Sequence, residues 1–212
     1  MRILLLLLLF SVNLIPQQSY LSKTVNHISS YIASEEFLQL KNKIGDVSAV
    51  DSIFIDATKF TEGNISEALL ALMLATVPYN EVPIQIPLFN STVNFPLTSA
   101  GGEIFLSKNE NLPRYLFFDS PTHKYGDKDK LAHFFGSAFL SNESNIFDIG
   151  KLIGYFVEAF EESFKVQSSV DIRDLDVNEY GRLFGKLLKE NKDLLPSEIF
   201  LLRSIRFLRV TI

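Results

Sequence analysis

The sequence contains no cysteine among its 212 residues. That absence excludes disulfide bonds, zinc–thiolate sites, thiol nucleophiles and a lipidated N-terminal cysteine. Positive charge is also in short supply, since 20 basic residues stand against 25 acidic ones and the formal net charge is -5. A chain without a basic excess has little to neutralise phosphates with, which argues against nucleic acid as a main partner.

Two sequence patterns that carry chemistry are missing as well. There is no Gly-x-Ser-x-Gly motif, so nothing indicates a serine nucleophile. There is no phosphate-loop or dinucleotide pattern, and Gly101-Gly102 alone predicts a hairpin turn and not a binding loop. Apolar side chains are plentiful, at 47% of the residues against 21% charged, which predicts one compact domain.

The N-terminus predicts export. Met1 and Arg2 give a positive start, and an unbroken apolar run follows over residues 3–10. We therefore expect residues 1–19 to be a signal peptide and residues 20–212 to be a single exported domain, periplasmic or otherwise exported. Because the region after the apolar run lacks a small-x-small cleavage triplet, an uncleaved anchor stays open. No transmembrane helix is predicted in the mature chain, since its apolar stretches are shorter than the ~20 residues that span a bilayer.

Within the exported domain the spacing of apolar residues predicts a mainly α (α+β) fold, a helical bundle with a small β-rich or extended insertion. Residues 20–80 should form the N-terminal helices, interrupted by a short β-like run at 52–55. Residues 81–120 alternate and contain prolines, which predicts edge strands or extended arms, with a further short apolar run at 104–106. Residues 127–190 should form a three-helix core, and residues 194–212 a C-terminal segment that docks on the domain or binds a membrane surface or a partner.

Each predicted core helix, over 127–141, 147–165 and 174–189, has an apolar stripe and a second face of polar side chains and glycines. The polar side chains are Asp129, His133, Glu158, Glu161, Asp174 and Asn178, and the glycines are Gly136, Gly150, Gly154, Gly181 and Gly185. Short connections favour antiparallel neighbours, so the first and third helices should run in the same direction. We therefore expect the polar side chains to converge at one end and the glycines to let the backbones approach closely. Asp127 or Asp129 should cap the first helix.

The order of these motifs over residues 127–186 resembles a known family. The sequence has Asp129-Lys130-x-x-His133-Phe134, then Glu158 with Glu161, then Asp174-Leu175-x-x-Asn178-x-x-Gly181 with Gly185. This order is similar to the sequence core of the YfiM-type bacterial periplasmic lipoproteins, and the first motif is similar to the opening of VanZ-like membrane proteins. The chain departs from these patterns, because it lacks the lipobox cysteine and its helices are more polar than membrane spans. The resemblance implies a bacterial envelope protein and supplies no reaction.

Three interpretations of the polar residues follow, with Lys130, Gly136, Gly181 and Gly185 in supporting positions. The first is structural, with a helix cap, and His133 bonded to a carboxylate. The second is a binding site without catalysis, in which an oxygen-rich ligand set suits calcium, magnesium or manganese better than zinc. The third is a metal-dependent enzyme such as a hydrolase, with His133 as general base oriented by Asp129 or Glu158.

The function expected from the sequence is therefore an exported envelope protein of unknown activity, acting as a binding or structural component. A peripheral membrane surface or another envelope protein is the expected partner. The alternative is the metal-dependent enzyme with a His/carboxylate site.

Overall fold

The computed structural model describes residues 19–86, 91–143 and 172–211. Eight helices and two strands lie in these residues. The helices are α1 (Tyr20–Ala33), α2 (Glu35–Ile44), α3 (Asp46–Phe60), α4 (Ile65–Thr76), α5 (Gly102–Asn111), α6 (Lys128–Asn142), α7 (Ile172–Leu187) and α8 (Pro196–Thr211), and the strands are β1 (Glu81–Ile86) and β2 (Ser91–Pro96). The prediction of a mainly helical bundle is confirmed. The predicted signal peptide, apart from residue 19, and the second helix of the predicted core lie outside the described residues.

Local sequence signals define several helix boundaries. Ser34 Oγ accepts a hydrogen bond of 3.1 Å from the Phe37 N–H at the start of α2, and Asn64 Oδ1 accepts one of 3.2 Å from the Glu67 N–H at the start of α4. Gly45, with φ of +83°, separates α2 from α3 in a conformation that glycine adopts without strain. Gly45 therefore ends α2, and Asn64 is the residue from which α4 starts.

Two stretches that were predicted as extended are helical instead. Residues 52–55 lie inside α3, whose buried Ile53 and Phe54 continue a stripe that begins at Ala49. Residues 104–106 lie inside α5, so Gly101-Gly102 is a helix start and not a hairpin turn. Both predictions were wrong because a short apolar run fits a strand and a buried helix equally well, and only the length of the complete element distinguishes them.

The strands of the structure form one two-stranded antiparallel sheet. Val82 pairs with Phe95 and Ile84 pairs with Val93. Pro83 and Pro96 fit in these strands because a two-stranded sheet has only edge strands, whose outer donors need no partner. The hairpin follows α4 and precedes α5, so it is an addition to the helical body.

Helix α6 lies at the centre of the described fold, and its ten consecutive residues 130–139 are all buried. Helix α4 packs against α6 in the antiparallel direction, since Ser66 near its start donates a hydrogen bond of 3.1 Å to Asn142 at the end of α6. Helix α7 runs parallel to α6, because Lys130 pairs with Asp174 at their starts, and the Asn142 side chain donates to the Gly185 carbonyl at their ends. The first and third helices of the predicted core therefore point in the same direction, as expected.

A cluster of aromatic rings joins α6 to α7 and α8, and α7 to α3. The Phe134 ring lies 5.1 Å from that of Phe184 in α7 and 4.7 Å from that of Phe200 in α8, measured between ring centroids. Phe54 in α3 lies 5.4 Å from Phe184. These contacts combine large apolar burial with favourable ring geometry. They hold the buried faces of α6 and α7 together, and the polar side chains lie at the starts of the same two helices.

Candidate functional site

The polar side chains of α6 and α7 meet where the two helices begin. Lys130, on the buried surface of α6, places its ammonium 2.7 Å from the Asp129 carboxylate and 2.5 Å from the Asp174 carboxylate. Two parallel helices align their first turns, which brings together residues far apart in the sequence. Of the six side chains predicted to converge, Asp129, His133, Asp174 and Asn178 do so, and we call these four with Lys130 the α6/α7 polar cluster. Glu158 and Glu161 lie outside the described residues.

The His133 ring is 5% exposed and lies between two oxygen atoms. Its Nδ1 is 3.2 Å from Asn178 Oδ1, and its Nε2 is 3.6 Å from Asp174 Oδ1. Ser137 Oγ donates a hydrogen bond of 3.0 Å to the same Asn178 oxygen. With Nδ1–H donating to Asn178, Nε2 is the nitrogen that would take up a second proton next to Asp174.

Burial governs the protonation of His133. It lowers the pKa of the imidazole below its ordinary value; Asp174 opposes this effect and the Lys130 ammonium adds to it. The ring is therefore neutral at neutral pH. A neutral, buried imidazole held by an amide can serve as a structural hydrogen-bonding group or as a general base.

The charge of Lys130 is held in place by its two acidic neighbours. Burial alone would lower the pKa of Lys130, but hydrogen bonds and charge from Asp129 and Asp174 raise it above its ordinary value.

Sequence reasoning missed Tyr79, which follows α4. Burial raises the pKa of the Tyr79 phenol, and the negative charges of Asp129 and Asp174 raise it further, so the phenol stays protonated beside the cluster.

The cation between the two carboxylates is thus a lysine ammonium. Among residues 19–86, 91–143 and 172–211, no group of three or more His, Asp or Glu side chains is arranged to hold a metal ion. The expected calcium, magnesium or manganese site is therefore not formed by Asp129, His133 and Asp174 together.

Of the five glycines predicted for close helix approach, Gly181 and Gly185 lie at such contacts between α6 and α7, whereas Gly150 and Gly154 lie outside the described residues. A Cβ atom on Gly181 would be 2.4 Å from the Phe134 carbonyl oxygen of α6. Gly136 faces Met73 of α4 instead, where a Cβ atom would be 2.9 Å from the sulfur. A backbone oxygen cannot move aside for a larger side chain, so Gly181 sets the spacing of α6 and α7, whereas the flexible Met73 side chain could move away from a larger residue at position 136. The spacing of α6 and α7 in turn sets the distances within the α6/α7 polar cluster.

Asp127 does not play the capping role that the sequence suggested. It occupies the position before α6, yet its side chain makes no capping hydrogen bond. The carboxylate is fully buried and accepts from Arg173 Nη2 at 2.6 Å and from the Ser120 hydroxyl. The prediction of a side-chain cap by Asp127 was wrong, because a guanidinium on the neighbouring helix offers a charge-assisted bond that is stronger than a cap.

A second buried ion pair joins α8 to the rest of the protein. Arg203 donates two hydrogen bonds, of 2.6 Å and 3.1 Å, to the Asp119 carboxylate and one of 2.6 Å to Asp176. Its guanidinium also lies 4.1 Å from the centre of the Phe117 ring. Burial would raise the pKa of Asp119, but Arg203 and Arg173 hold it below its ordinary value. The C-terminal segment therefore docks on the domain through one of its faces.

Sequence reasoning did not single out Arg203 from the other arginines of α8. A usable signal was present, because Arg203 comes three residues after Phe200 and four after Ile199, which places all three on one helix face. Both apolar residues are buried, so the arginine between them is buried as well.

Lys108 of α5 is a buried lysine that the sequence did not mark. Its ammonium donates hydrogen bonds of 2.7 Å to the Ala75 carbonyl and 2.5 Å to the Val77 carbonyl at the end of α4. Carbonyls at a helix C-terminus lack intrahelical donors and carry partial negative charge, so they attract a cation. Burial lowers the pKa of Lys108 to about 7.

Comparison with protein-family models, with curated proteins and with solved structures gave no match to this chain. The resemblance to YfiM-type and VanZ-like proteins is therefore supported only by its motifs and stays a prediction. None of the helices in the described part of the chain combines the length and the apolar character needed to cross a membrane.

Proposed function

We propose that this chain is an exported component of the bacterial envelope with a binding or structural role, and that the α6/α7 polar cluster connects the two helices structurally. The single observation that carries the structural role is the position of Lys130. Its ammonium lies 2.7 Å and 2.5 Å from two carboxylates and supplies the positive charge that a metal ion would otherwise bring. A buried network of this kind favours one register of the helices over others.

The location in the envelope rests on different observations. The positive start and the apolar run over residues 3–10 support export, and the motif order of residues 127–186 resembles that of periplasmic lipoproteins. Mass spectrometry of the envelope fraction tests export directly. We expect a mature chain that begins between Gln17 and Lys23. Retention of Met1 in the envelope fraction would contradict cleavage and favour an anchor, whereas recovery from the cytoplasm alone would overturn the proposed location.

The structural role of the cluster is tested by thermal unfolding with and without divalent metal. We expect the same Tm after treatment with a chelator and after addition of calcium, magnesium or manganese. A metal ion that binds the folded protein and is present at a hundred times its Kd would add about 2.7 kcal/mol to the free energy of unfolding, which is easily measured. A rise in Tm that Asp174→Asn abolishes would overturn the structural role and favour a metal site.

One observation favours the alternative, a metal-dependent enzyme such as a hydrolase. His133 combines a lowered pKa with an Nδ1 held by Asn178, which is the arrangement of a general base with a fixed ring. Hydrolysis assays of the purified protein with each metal test this alternative. Activity that disappears in a folded His133→Gln variant would establish it. Absence of divalent metal from the purified protein, together with absence of activity in the presence of each metal, would exclude it.

A further inference from the structure

Helix α8 has an outer face that nothing in the described structure covers. Its inner face docks on the domain through Ile199, Phe200 and Arg203, all of them buried. On the opposite side Leu201, Leu202 and Ile205 are 61%, 46% and 53% exposed. Three large apolar side chains that share one face over little more than one turn form a patch, in contrast to the single exposed apolar residues that are normal on a protein surface.

Positive charge continues this apolar patch toward the end of the helix. Arg209 lies four residues after Ile205 and eight after Leu201, so these three follow one row, and Arg206 lies four residues after Leu202. Both arginines are exposed, and Arg206 also has the Tyr180 side chain of α7 as a hydrogen-bond partner. The one acidic residue of α8, Glu198, lies in its first turn and accepts a hydrogen bond from the Leu195 N–H. The second half of α8 is therefore basic, although the chain as a whole carries a net charge of -5.

We propose that the outer face of α8 docks on an anionic lipid surface. Leucine and isoleucine enter the boundary between headgroups and acyl chains, while the arginines bind the phosphates above it. Phe118, which is 69% exposed and whose ring lies 6.4 Å from that of Phe207, adds an aromatic side chain beside the last turns of the helix. This proposal rests on the proposed location in the envelope, and it identifies the partner of the protein there as an anionic membrane surface.

Charge complementarity favours a lipid surface over a second copy of this chain. A symmetric dimer through this face would bring together four arginines, Arg206 and Arg209 of each copy, and only two glutamates, Glu198 of each copy, so positive charge would remain unpaired in the contact. An anionic membrane brings the opposite charge to the same residues. Docking on a membrane predicts that the environment of this face changes when vesicles are added. Dimerisation predicts that it changes with protein concentration instead.

A fluorescent label at one position tests the proposal in the full chain. Because the sequence has no cysteine, a single Ile205→Cys substitution gives a unique site for an environment-sensitive dye. Leu106→Cys on α5 is the matched control, since Leu106 is apolar and 65% exposed. Comparing two labels within the same chain separates docking by α8 from any binding by the apolar N-terminus.

We expect the dye at residue 205 to shift to the blue with vesicles containing phosphatidylglycerol and to respond little to phosphatidylcholine vesicles. The dye at residue 106 should respond to neither. Arg206→Gln combined with Arg209→Gln should weaken the apparent affinity about fivefold for each arginine at low salt, and Leu201→Gln should weaken it by about tenfold. Circular dichroism establishes that each variant is folded.

Three outcomes would overturn the proposal. One is the absence of any shift at residue 205 with phosphatidylglycerol vesicles, whether or not the protein binds them, and another is an equal shift at residues 205 and 106. The third is a shift at residue 205 that grows with protein concentration in the absence of vesicles, which would assign the face to a second copy. None of these outcomes bears on N-terminal cleavage or on metal dependence of the Tm, so failure here is distinguishable from failure of the proposed function.

Discussion

Gly185 of α7 lies so close to Ala138 of α6 that a Cβ atom on residue 185 would be 2.1 Å from the Ala138 carbonyl oxygen. The Ser141 hydroxyl oxygen would be 2.3 Å from the same atom. A carbonyl oxygen belongs to the backbone and has no rotamer with which to move aside. The two helices can therefore approach this closely only with glycine at residue 185.

Gly185→Ala should destabilise the protein. Overpacking against a backbone atom typically costs about 1 to 3 kcal/mol, and we expect roughly 3 kcal/mol here. Helix propensity alone predicts the opposite sign, because alanine is favoured over glycine within a helix by about 1 kcal/mol. Urea unfolding followed by circular dichroism measures the difference. The matched control is Gly101→Ala, which meets nothing within 4 Å and should change the stability little. Equal effects of the two substitutions would contradict a close contact at residue 185.

Lys130→Met should destabilise the protein through the two carboxylates that lose their cation. Breaking a buried pair by removing one partner typically costs about 3 to 5 kcal/mol, and the half-exposed Asp129 places the expected effect near the lower end. Asp174 then becomes a poorly solvated carboxylate without its lysine. Chemical denaturation measures the effect. As a control, Arg182→Gln removes an exposed ion pair with Glu179 and should leave the midpoint unchanged. A fully stable Lys130→Met variant would contradict the structural role of the cluster.

Arg203→Met should loosen α8 from the rest of the protein. The substitution keeps much of the apolar volume but leaves the Asp119 and Asp176 carboxylates without the guanidinium that they share. We expect a loss of about 3 kcal/mol and faster hydrogen exchange in α8 than in α6. Arg209→Gln on the exposed side of the same helix is the control and should leave exchange unchanged. If hydrogen exchange in α8 were no faster than in α6 in the Arg203→Met variant, this ion pair would not be what holds the helix on the protein.

His133 should make the stability depend on pH below neutrality. The pKa of His133 is lowered in the folded state, so between the unfolded value of 6.5 and the folded value the unfolded chain binds more protons. Stability from this group is therefore present above pH 6.5 and is lost as the pH falls, by at most about 1.4 kcal/mol per pH unit. Denaturation of the wild type and of His133→Gln between pH 7.5 and about 5 measures this slope. A wild-type slope no steeper than that of the variant would contradict the burial of a neutral ring.

Lys108 should make the stability depend on pH in the alkaline range, and here too the stability should rise with increasing pH. Its pKa is about 7 in the folded state and 10.5 in the unfolded chain, so the unfolded chain binds more protons between these values. The free energy of unfolding of the wild type should therefore rise, relative to that of Lys108→Met, as the pH increases from 7 toward 10. Lys59→Met removes an exposed lysine of α3 and serves as the control. A difference between wild type and Lys108→Met that does not change with pH would contradict burial of the amine.

The predictions from the sequence that were wrong have a common physical origin. Residues 52–55 and 104–106 were predicted as extended because their apolar character was considered over too short a window. Asp127 or Asp129 was predicted to cap α6 because aspartate at a helix start is a good local cap, whereas the Asp127 carboxylate binds Arg173 and that of Asp129 binds Lys130. In each case a local preference was outweighed by packing or by charge.

By itself the sequence determined the helical character of the bundle, the caps at Ser34 and Asn64, and the faces of α6 and α7 on which the polar side chains and glycines lie. These features follow from periodicity and from contacts within one or two turns, which a sequence displays directly. Only the tertiary structure decided which charges pair. Asp127 meets Arg173 from 46 positions away and Asp119 meets Arg203 from 84, because aromatic packing around Phe134 brings their elements together and no local pattern encodes that distance.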